Sequence, residues 1–337
     1  MPGLTLEVEV QQLPLTAPFR ISGHVFELLD VVVVTLRDGE HRGRGEAAGV
    51  YYLDDTAAPM AAALAGVRSV VEQGVDRAQL QELLPPGGAR NALDCALWDL
   101  DAHRCGVPVW QLAGLPPPKS LLTTFTLGAE DPGVMAAGAR QFTQARALKL
   151  KLTGDLPLDV ARVQAVRVAR PDVWLGVDAN QGYSIESLVP LIDALVANNV
   201  SLLEQPLRRG READLDGVRS PIPIAADESA LTLGDLHALQ GRVQVVNIKL
   251  DKCGGLTAGL AMAREAQRLG FKLMVGNMVG TSLAMAPAFV LGQLCDVVDL
   301  DGPTFLVRDR TPSIAYADGR VWSGAQVWGG GPLEMSS

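Results

Sequence analysis

Between residues 121 and 301, short apolar segments alternate with helical segments about once every 20 to 30 residues. The apolar segments lie at 121–127, 146–152, 173–178, 200–204, 223–227, 244–249, 271–275 and 295–301. Helical spacing is clearest between them at 160–169, 188–198 and 256–269. Repeated strand–helix units place successive strands parallel in one sheet, and eight such strands favour a closed barrel over an open sheet.

The regions on either side of this alternation have different patterns. Residues 4–48 alternate apolar and polar positions, which predicts paired strands, and residues 57–112 have helical spacing, clearest at 89–104. After residue 303 the chain returns to glycine- and proline-rich turns. We therefore expect three parts: an α+β capping domain at 1–118, the barrel at 119–303, and a C-terminal segment at 304–337 that packs back on the capping domain.

The charge balance limits the kinds of partner. Asp and Glu outnumber Lys and Arg by 38 to 29, which gives a formal net charge of -9. An acidic surface repels phosphate backbones and anionic lipids, so we predict no nucleic-acid partner and no membrane association. The four cysteines show no metal-ligand spacing and fit a reducing, cytoplasmic compartment. A homo-oligomer is left open.

Acidic residues end three successive predicted strands: Asp178, Glu204 and Asp227, each about one strand–helix unit from the next. Because parallel strands all end at the same mouth of a barrel, these carboxylates are expected to converge. Any one of them alone is better explained as a turn or helix-cap residue. Three together repel each other unless a cation lies between them, and oxygen ligands with room for water and substrate favour Mg²⁺.

Lysines flank this triad in chain order. Lys149 and Lys151 share one face of their strand because side chains alternate with period two. Lys249 ends the sixth predicted strand, which lies across the barrel from the second. Taken alone, the lysine pair also fits a solvated edge strand, but the nearby acids and Lys249 favour function. Lys252, just beyond, is predicted to be a loop charge.

Two further carboxylates, Asp299 and Asp301, lie two residues apart on one face of the last predicted strand. With the triad assigned to a metal, this pair has no metal left to bind. A positively charged group of the substrate would then be its natural partner. A turn before Gly302 explains the pair equally well.

Six motifs together resemble the enolase superfamily. They are Asn91-Ala-Leu-Asp-Cys-Ala-Leu-Trp-Asp-Leu100 followed by Gly106-Val-Pro108, Lys149-Leu-Lys151, Asp178-Ala-Asn180, Glu204-Gln-Pro206, Ala226-Asp-Glu-Ser229, and Asn247-Ile-Lys249 with Gly254-Gly255. The first resembles the helix that closes the capping domain, and the others resemble the muconate-lactonizing subgroup. The resemblance covers nearly the whole chain. It implies an α/β fold, a (β/α)7β modified TIM barrel with an α+β capping domain.

The resemblance also implies roles for the residues. The three strand-end carboxylates would hold Mg²⁺, which binds the substrate carboxylate and stabilises an enediolate. Lys151 and Lys249 would exchange protons on opposite faces of the substrate, and Lys149 would be a supporting cation near its carboxylate. The pair Asp299-Leu-Asp301 is similar to the motif with which dipeptide epimerases bind the substrate's free α-ammonium.

The implied function is a Mg²⁺-dependent dipeptide epimerase, an isomerase. It would invert the α-carbon of the C-terminal residue of an L-aminoacyl amino acid by 1,1-proton transfer. In Ala-Glu epimerases an arginine on a capping-domain loop receives the substrate's side-chain carboxylate. The matching position here is His24, which we predict to contact the substrate, and Arg20 is the next basic candidate. The aromatic loop at 49–53 would suit a side chain other than glutamate.

Other functions use the same site. An o-succinylbenzoate synthase, a muconate cycloisomerase and an N-acylamino-acid racemase all act on substrates without a free ammonium. A requirement for Asp299 and Asp301 therefore separates them from a dipeptide epimerase. A non-catalytic, metal-stabilised binding protein is a third class, disfavoured because Lys151 and Lys249 are both present.

Overall fold

The N-terminal part of the chain is an antiparallel sheet. The computed structural model describes residues 3–21 and 24–330, and of Ile21 and His24 it describes only the backbone. The sheet contains β1 (Thr5–Ile21), β2 (His24–Asp38) and β3 (His41–Ala47), with β2 in the centre. In β2 the side chains of Val31 to Val34 are buried on both faces, because helices cover one side and the barrel approaches the other.

Four helices follow the sheet: α1 (Ala57–Glu72), α2 (Arg77–Leu83), α3 (Gly88–Cys105) and α4 (Val109–Leu112). The longest, α3, matches the helix predicted at 89–104 and ends at Gly106, which has a left-handed φ of 65°. It packs so closely on β3 that a Cβ atom at Gly45 would lie 2.0 Å from the carbonyl oxygen of Ala92. A side chain at Gly45 would therefore push the helix off the sheet.

The second sheet has eight parallel strands whose spatial order follows the chain. The predicted strand at 121–127 is divided into β4 (Leu121–Leu122), outside this sheet, and β5 (Phe125–Leu127), its first strand. The others are β6 (Ala147–Lys151), β7 (Trp174–Asp178), β8 (Leu202–Glu204), β9 (Ile224–Ala226), β10 (Val245–Ile248), β11 (Lys272–Val275) and β12 (Val297–Val298). The amide of Thr124 donates to the carbonyl of Val298 at 2.9 Å, which joins the two ends of the curled sheet. The predicted fold class is confirmed.

Helices occupy six of the seven connections between barrel strands, all of which lie in the described range. They are α5 (Pro132–Gln141), α6 (Leu156–Ala169), α7 (Ile185–Ala197), α8 (Leu236–Leu239), α9 (Leu250–Cys253), α10 (Leu256–Arg268) and α11 (Ser282–Gly292). Between β8 and β9 there is only a 3-10 turn at Glu212–Leu215, where Gly210, Gly217 and Pro221 interrupt a longer helix. No helix of the described residues is long and apolar enough to cross a membrane.

The end of the barrel differs in detail from the prediction. The last strand, predicted at 295–301, is only two residues long because β11 pairs with β12 at Met274 and Val275 alone. Beyond it, β13 (Ala315–Ala317) and β14 (Arg320–Trp322) form a small sheet with β4.

The C-terminal segment also contacts the N-terminal part of the chain. The guanidinium of Arg310 donates to Glu46 at 2.6 Å, and the amide of Gly329 donates to Asp99 at 2.7 Å. The division of the chain at residues 118 and 303 stays a prediction.

Candidate active site

The predicted triad lies at the C-terminal mouth of the barrel. Asp178 and Glu204 are the last residues of β7 and β8 and are paired in register, and Asp227 directly follows β9. All three are buried, and one oxygen from each lies within 4.8 Å of the others. The structure therefore brings the three carboxylates close enough together to share a single cation.

The charges of the triad are strongly perturbed. Burial and the nearby carboxylate of Asp178 raise the pKa of Glu204 to about 7. Burial also opposes ionisation of Asp227, but the ammonium groups of Lys249 and Lys252 outweigh it and hold the pKa of Asp227 well below its ordinary value. The cost of ionising Glu204 here is what a divalent cation among the three oxygens would relieve.

Two lysines reach the triad from opposite sides. Lys151 ends β6 and donates to Asp178 at 2.6 Å, and Lys249 follows β10 and donates to Asp227 at 2.6 Å. Because β6 and β10 are four strands apart in an eight-stranded barrel, the two ammonium groups face each other across the mouth. Burial disfavours the charge of Lys249, but Asp227 and Glu204 raise its pKa above the ordinary value.

Lys149 joins the triad to the Asp299 carboxylate. Its buried ammonium lies 3.5 Å from Glu204 and donates a short hydrogen bond to Asp299. The hydroxyl of Thr124 donates to the other oxygen of Asp299 at 2.5 Å. Asp299 therefore has a cation partner within the protein, and its role in binding the substrate stays a prediction.

Asp301 has a different environment. It accepts a hydrogen bond from the amide of Thr126 at 2.6 Å, which lies on the first barrel strand. Burial and the charge of Asp299 raise the pKa of Asp301 to about 7. Asp301 is therefore the member of the pair whose negative charge is poorly compensated by the protein.

Lys252 is not a loop charge, and that prediction is wrong. Its side chain is fully buried, and its ammonium donates to the carboxylate and the carbonyl of Asp227, each at 2.6 Å, and to the carbonyl of Asn247 at 2.9 Å. The short helix α9 begins directly after Lys249 and turns Lys252 back beneath the triad. Lys252 thus fixes the orientation of Asp227.

Three polar residues of the site were not identified from the sequence, although they lie inside the strand-end motifs. The amide nitrogen of Asn247 donates to Glu204 at 2.7 Å, and that of Asn180 donates to Glu228 at 3.4 Å. Within the described residues, one side-chain oxygen of each of Asn180, Glu228 and Asn247 is buried without a hydrogen-bond partner. Unsatisfied buried oxygens beside a carboxylate triad fit a metal ion and its water ligands.

A cavity of about 100 Å³ lies above the triad, between the barrel mouth and the N-terminal sheet. Lys151, Asp227 and Lys249 form its floor, whereas Asp299 and Asp301 are not among the described residues that line it. The predicted contact His24 begins β2, and its side chain lies outside the described part of the chain.

Two family models match the chain. The model "Mandelate racemase / muconate lactonizing enzyme, N-terminal domain" matches residues 5–114, and "Enolase C-terminal domain-like" matches residues 134–322. The chain therefore belongs to the mandelate racemase and muconate lactonizing enzyme family of the enolase superfamily. The predicted superfamily is confirmed.

Individual relatives are similar over almost their whole length. An L-Ala-D/L-Glu epimerase of Escherichia coli is 40% identical over 317 residues, which cover 94% of this chain and 99% of the relative. An N-acetyl-D-glutamate racemase of Pseudoalteromonas sp is 41% identical over 308 residues, or 89% of this chain and 95% of the relative. A dipeptide epimerase of Methylococcus capsulatus, solved with Mg and L-Arg-D-Lys, has a TM-score of 0.90 and 31% identity and covers 96% of this chain and 97% of its own.

Proposed function

We propose that this protein is a Mg²⁺-dependent dipeptide epimerase that inverts the α-carbon of the C-terminal residue of an L-aminoacyl amino acid. The observation that carries the proposal is the pair of lysines across the barrel mouth. Lys151 and Lys249 each lie 2.6 Å from a triad carboxylate, on strands four apart. A substrate carboxylate held at the triad would place its α-carbon between the two, with one lysine on each face.

The triad carboxylates of Asp178, Glu204 and Asp227 would hold Mg²⁺, whose charge would stabilise the negative charge that develops on the substrate carboxylate as the α-proton leaves. One of the lysines, as the neutral amine, accepts the α-proton, and the other returns a proton from its ammonium to the opposite face. The carbon is thereby inverted. Sharing the triad's charge with a cation also weakens the interactions that raise the pKa of Lys249, which helps it act as a base.

The substrate's free ammonium has one preferred partner in this geometry. Lys149 already neutralises Asp299, whereas burial and Asp299 leave the charge of Asp301 unfavourable. An ammonium beside the pair would pair chiefly with Asp301, and Asp299 would hold Lys149 in place. The names of the relatives support an epimerase or racemase acting on amino-acid derivatives.

The direct test is exchange of the α-proton in D₂O. The wild-type protein is incubated with Mg²⁺ and a library of L-Ala-L-X dipeptides, and mass spectrometry and chiral analysis follow the C-terminal residue. We expect one deuterium at its α-carbon together with formation of the D-epimer. Incorporation of deuterium without inversion would contradict the two-base proposal and favour a single-base lyase or cycloisomerase.

A second candidate, an N-acylamino-acid racemase, is favoured by one observation. Asp299 has a cation partner within the protein, so the Asp299 and Asp301 pair is less dependent on a substrate ammonium than two unpaired carboxylates would be. The name of the Pseudoalteromonas relative describes such a reaction. N-acetyl amino acids that racemise faster than free dipeptides of the same C-terminal residue would favour this candidate.

A further inference from the structure

The cavity above the triad has an apolar wall on the side away from the carboxylates. Strands β1 and β2, the loop after β3 and the loop after β11 contribute to it. Its larger apolar side chains are Phe19, Phe26, Leu29, Tyr51, Tyr52, Met278 and Val279. Three of these, Phe26, Tyr51 and Tyr52, form what we call the aromatic wall.

The aromatic wall is a continuous packed surface. The ring of Phe26 meets that of Tyr51 edge to face, with centroids 5.2 Å apart at 85°, and Tyr51 meets Tyr52 in the same way at 5.2 Å and 87°. Edge-to-face packing of this kind holds aromatic rings in fixed positions. The loop behind them is also anchored, because Asp251 accepts a hydrogen bond from the amide of Gly49 at 2.8 Å.

The described lining of the cavity offers no unpaired cation to a substrate side chain. Among its described residues, the cations are Lys151 and Lys249, and each is hydrogen-bonded to a triad carboxylate. Arg20, the basic candidate from the sequence, lies outside this lining and pairs with Glu130 at 3.1 Å, with both side chains substantially exposed. A substrate carboxylate pressed against the aromatic wall would lose its water without gaining a described cation.

One polar atom of the wall, the hydroxyl of Tyr52, also indicates a ligand. The hydroxyl of Tyr52 is buried and has no hydrogen-bond partner among the described residues. Burial raises the pKa of Tyr52 far above its ordinary value, so the hydroxyl stays a neutral donor. A neutral donor at the edge of an apolar surface suits a carbonyl of a bound peptide better than a charged side chain.

The substrate's orientation follows from the proposed function. Its carboxylate lies at the triad, and the two positions of the α-hydrogen face Lys151 and Lys249. The two remaining substituents of the α-carbon are the nitrogen and the side chain. With the nitrogen directed toward Asp301, the side chain points out of the barrel toward the N-terminal sheet.

We infer that the residue inverted by this protein carries an apolar side chain, aromatic or branched aliphatic, which packs on Phe26, Tyr51 and Tyr52. This inference rests on the proposed function, and it names the substrate class of that same site. It departs from the glutamate substrates in the names of the Escherichia coli and Pseudoalteromonas relatives.

A four-substrate comparison separates this inference from the proposed function. The kcat/KM of the wild-type protein with Mg²⁺ is measured for L-Ala-L-Phe, L-Ala-L-Glu, N-acetyl-L-Phe and N-acetyl-L-Glu. The side chain tests the inference, and the N-terminal group tests the function. Within the series that reacts, free dipeptides or N-acetyl amino acids, we expect kcat/KM for the phenylalanine substrate to exceed that for the glutamate substrate by about a hundredfold. Glutamate that reacts as well as phenylalanine in that series would overturn the inference, even if dipeptide epimerisation is established.

A pair of arginine variants tests the wall itself. Phe26→Arg places a guanidinium against the cavity, whereas Val25→Arg places one on the neighbouring, exposed position of the same strand, where Val25 is 43% exposed. We expect Phe26→Arg to change the ratio of kcat/KM for the phenylalanine substrate to kcat/KM for the glutamate substrate by about a hundredfold in favour of glutamate. Val25→Arg should leave this ratio unchanged. An equal shift in both variants, or none in Phe26→Arg, would show that the wall does not select the side chain.

Discussion

The two sides of the cavity differ in composition and in how they are built. The barrel mouth is formed by charged residues at strand ends, such as Asp178 and Glu204, whose backbones are paired in register. The aromatic wall is formed by side chains from the N-terminal sheet and from a loop, at Phe26, Tyr51 and Tyr52. Rigid strand ends fix the distances that proton transfer needs, whereas sheet edges and loops accept different side chains without disturbing the barrel. In the proposed function, the barrel mouth carries out the proton transfer and the aromatic wall selects the substrate side chain.

The largest expected effect is loss of the triad. Asp178→Asn, Glu204→Gln and Asp227→Asn should each lower kcat by more than about a thousandfold, because one charged metal ligand is removed. EDTA should inactivate the wild type, and Mg²⁺ should restore it. Asp216→Asn is the control, since Asp216 is an exposed acid paired with Arg242 at 2.7 Å. Full activity after exhaustive chelation would remove the metal from the mechanism.

Lys252 tests whether the mouth depends on charges that do not face the cavity. Lys252→Met removes three hydrogen bonds to Asp227 and Asn247, so Mg²⁺ affinity measured by calorimetry should fall by about tenfold to a hundredfold. Lys272→Met, at an exposed strand position, is the matched control. An unchanged affinity in Lys252→Met, with the fold intact, would show that Asp227 needs no such support.

We expect the two carboxylates at the end of the barrel, Asp299 and Asp301, to have different roles. Asp301→Asn should lower kcat/KM for free dipeptides by about tenfold to a hundredfold, because a charge-assisted hydrogen bond to the ammonium is lost. It should affect N-acetylated substrates little. Asp299→Asn should impair turnover of both free and N-acetylated substrates, because it removes the ion pair that holds Lys149 beside Glu204. If acetylated and free substrates react equally well on the wild type, the pair does not bind an ammonium.

The smallest expected effect is that of Arg20→Ala. The ion pair of Arg20 with Glu130 is on the surface, and such pairs contribute about 0–1 kcal/mol to stability. We expect kcat/KM for each dipeptide to stay within about twofold of the wild-type value. A selective loss of activity toward L-Ala-L-Glu would instead place Arg20 in the site and weaken the contrast between mouth and wall.

The sequence predicted the mouth far better than the wall, for a physical reason. Strand ends of a parallel barrel converge whatever the loops do, so the positions of Asp178, Glu204 and Asp227 follow from the strand pattern alone. The ion pair between Lys149 and Asp299 could not be predicted from the strand pattern, because the two residues are 150 positions apart and only the closed barrel brings them together. Lys252 was misinterpreted because the one-turn helix that buries it has no periodicity to detect.

The aromatic wall was only partly visible in the sequence. The loop at 49–53 suggested aromatic surface, but Phe26 joins the wall from a separate strand of the N-terminal sheet. No local pattern distinguishes Phe26, which lines a cavity, from an ordinary aromatic residue of a strand. Side chains that meet only through tertiary packing leave no spacing in the sequence by which to find them.

In the proposed mechanism, Lys151 and Lys249 act on opposite faces of one carbon, and stereospecific exchange distinguishes the two lysines. Lys151→Ala and Lys249→Ala are each incubated in D₂O with the L,L and L,D forms of an accepted dipeptide, and deuterium at the α-carbon is followed separately for each form. We expect both variants to lose epimerisation by about a hundredfold or more, and each to retain exchange in one epimer only, with the two variants retaining opposite ones. A variant that epimerises at nearly the wild-type rate, or two variants that retain exchange in the same epimer, would rule out the two-base mechanism.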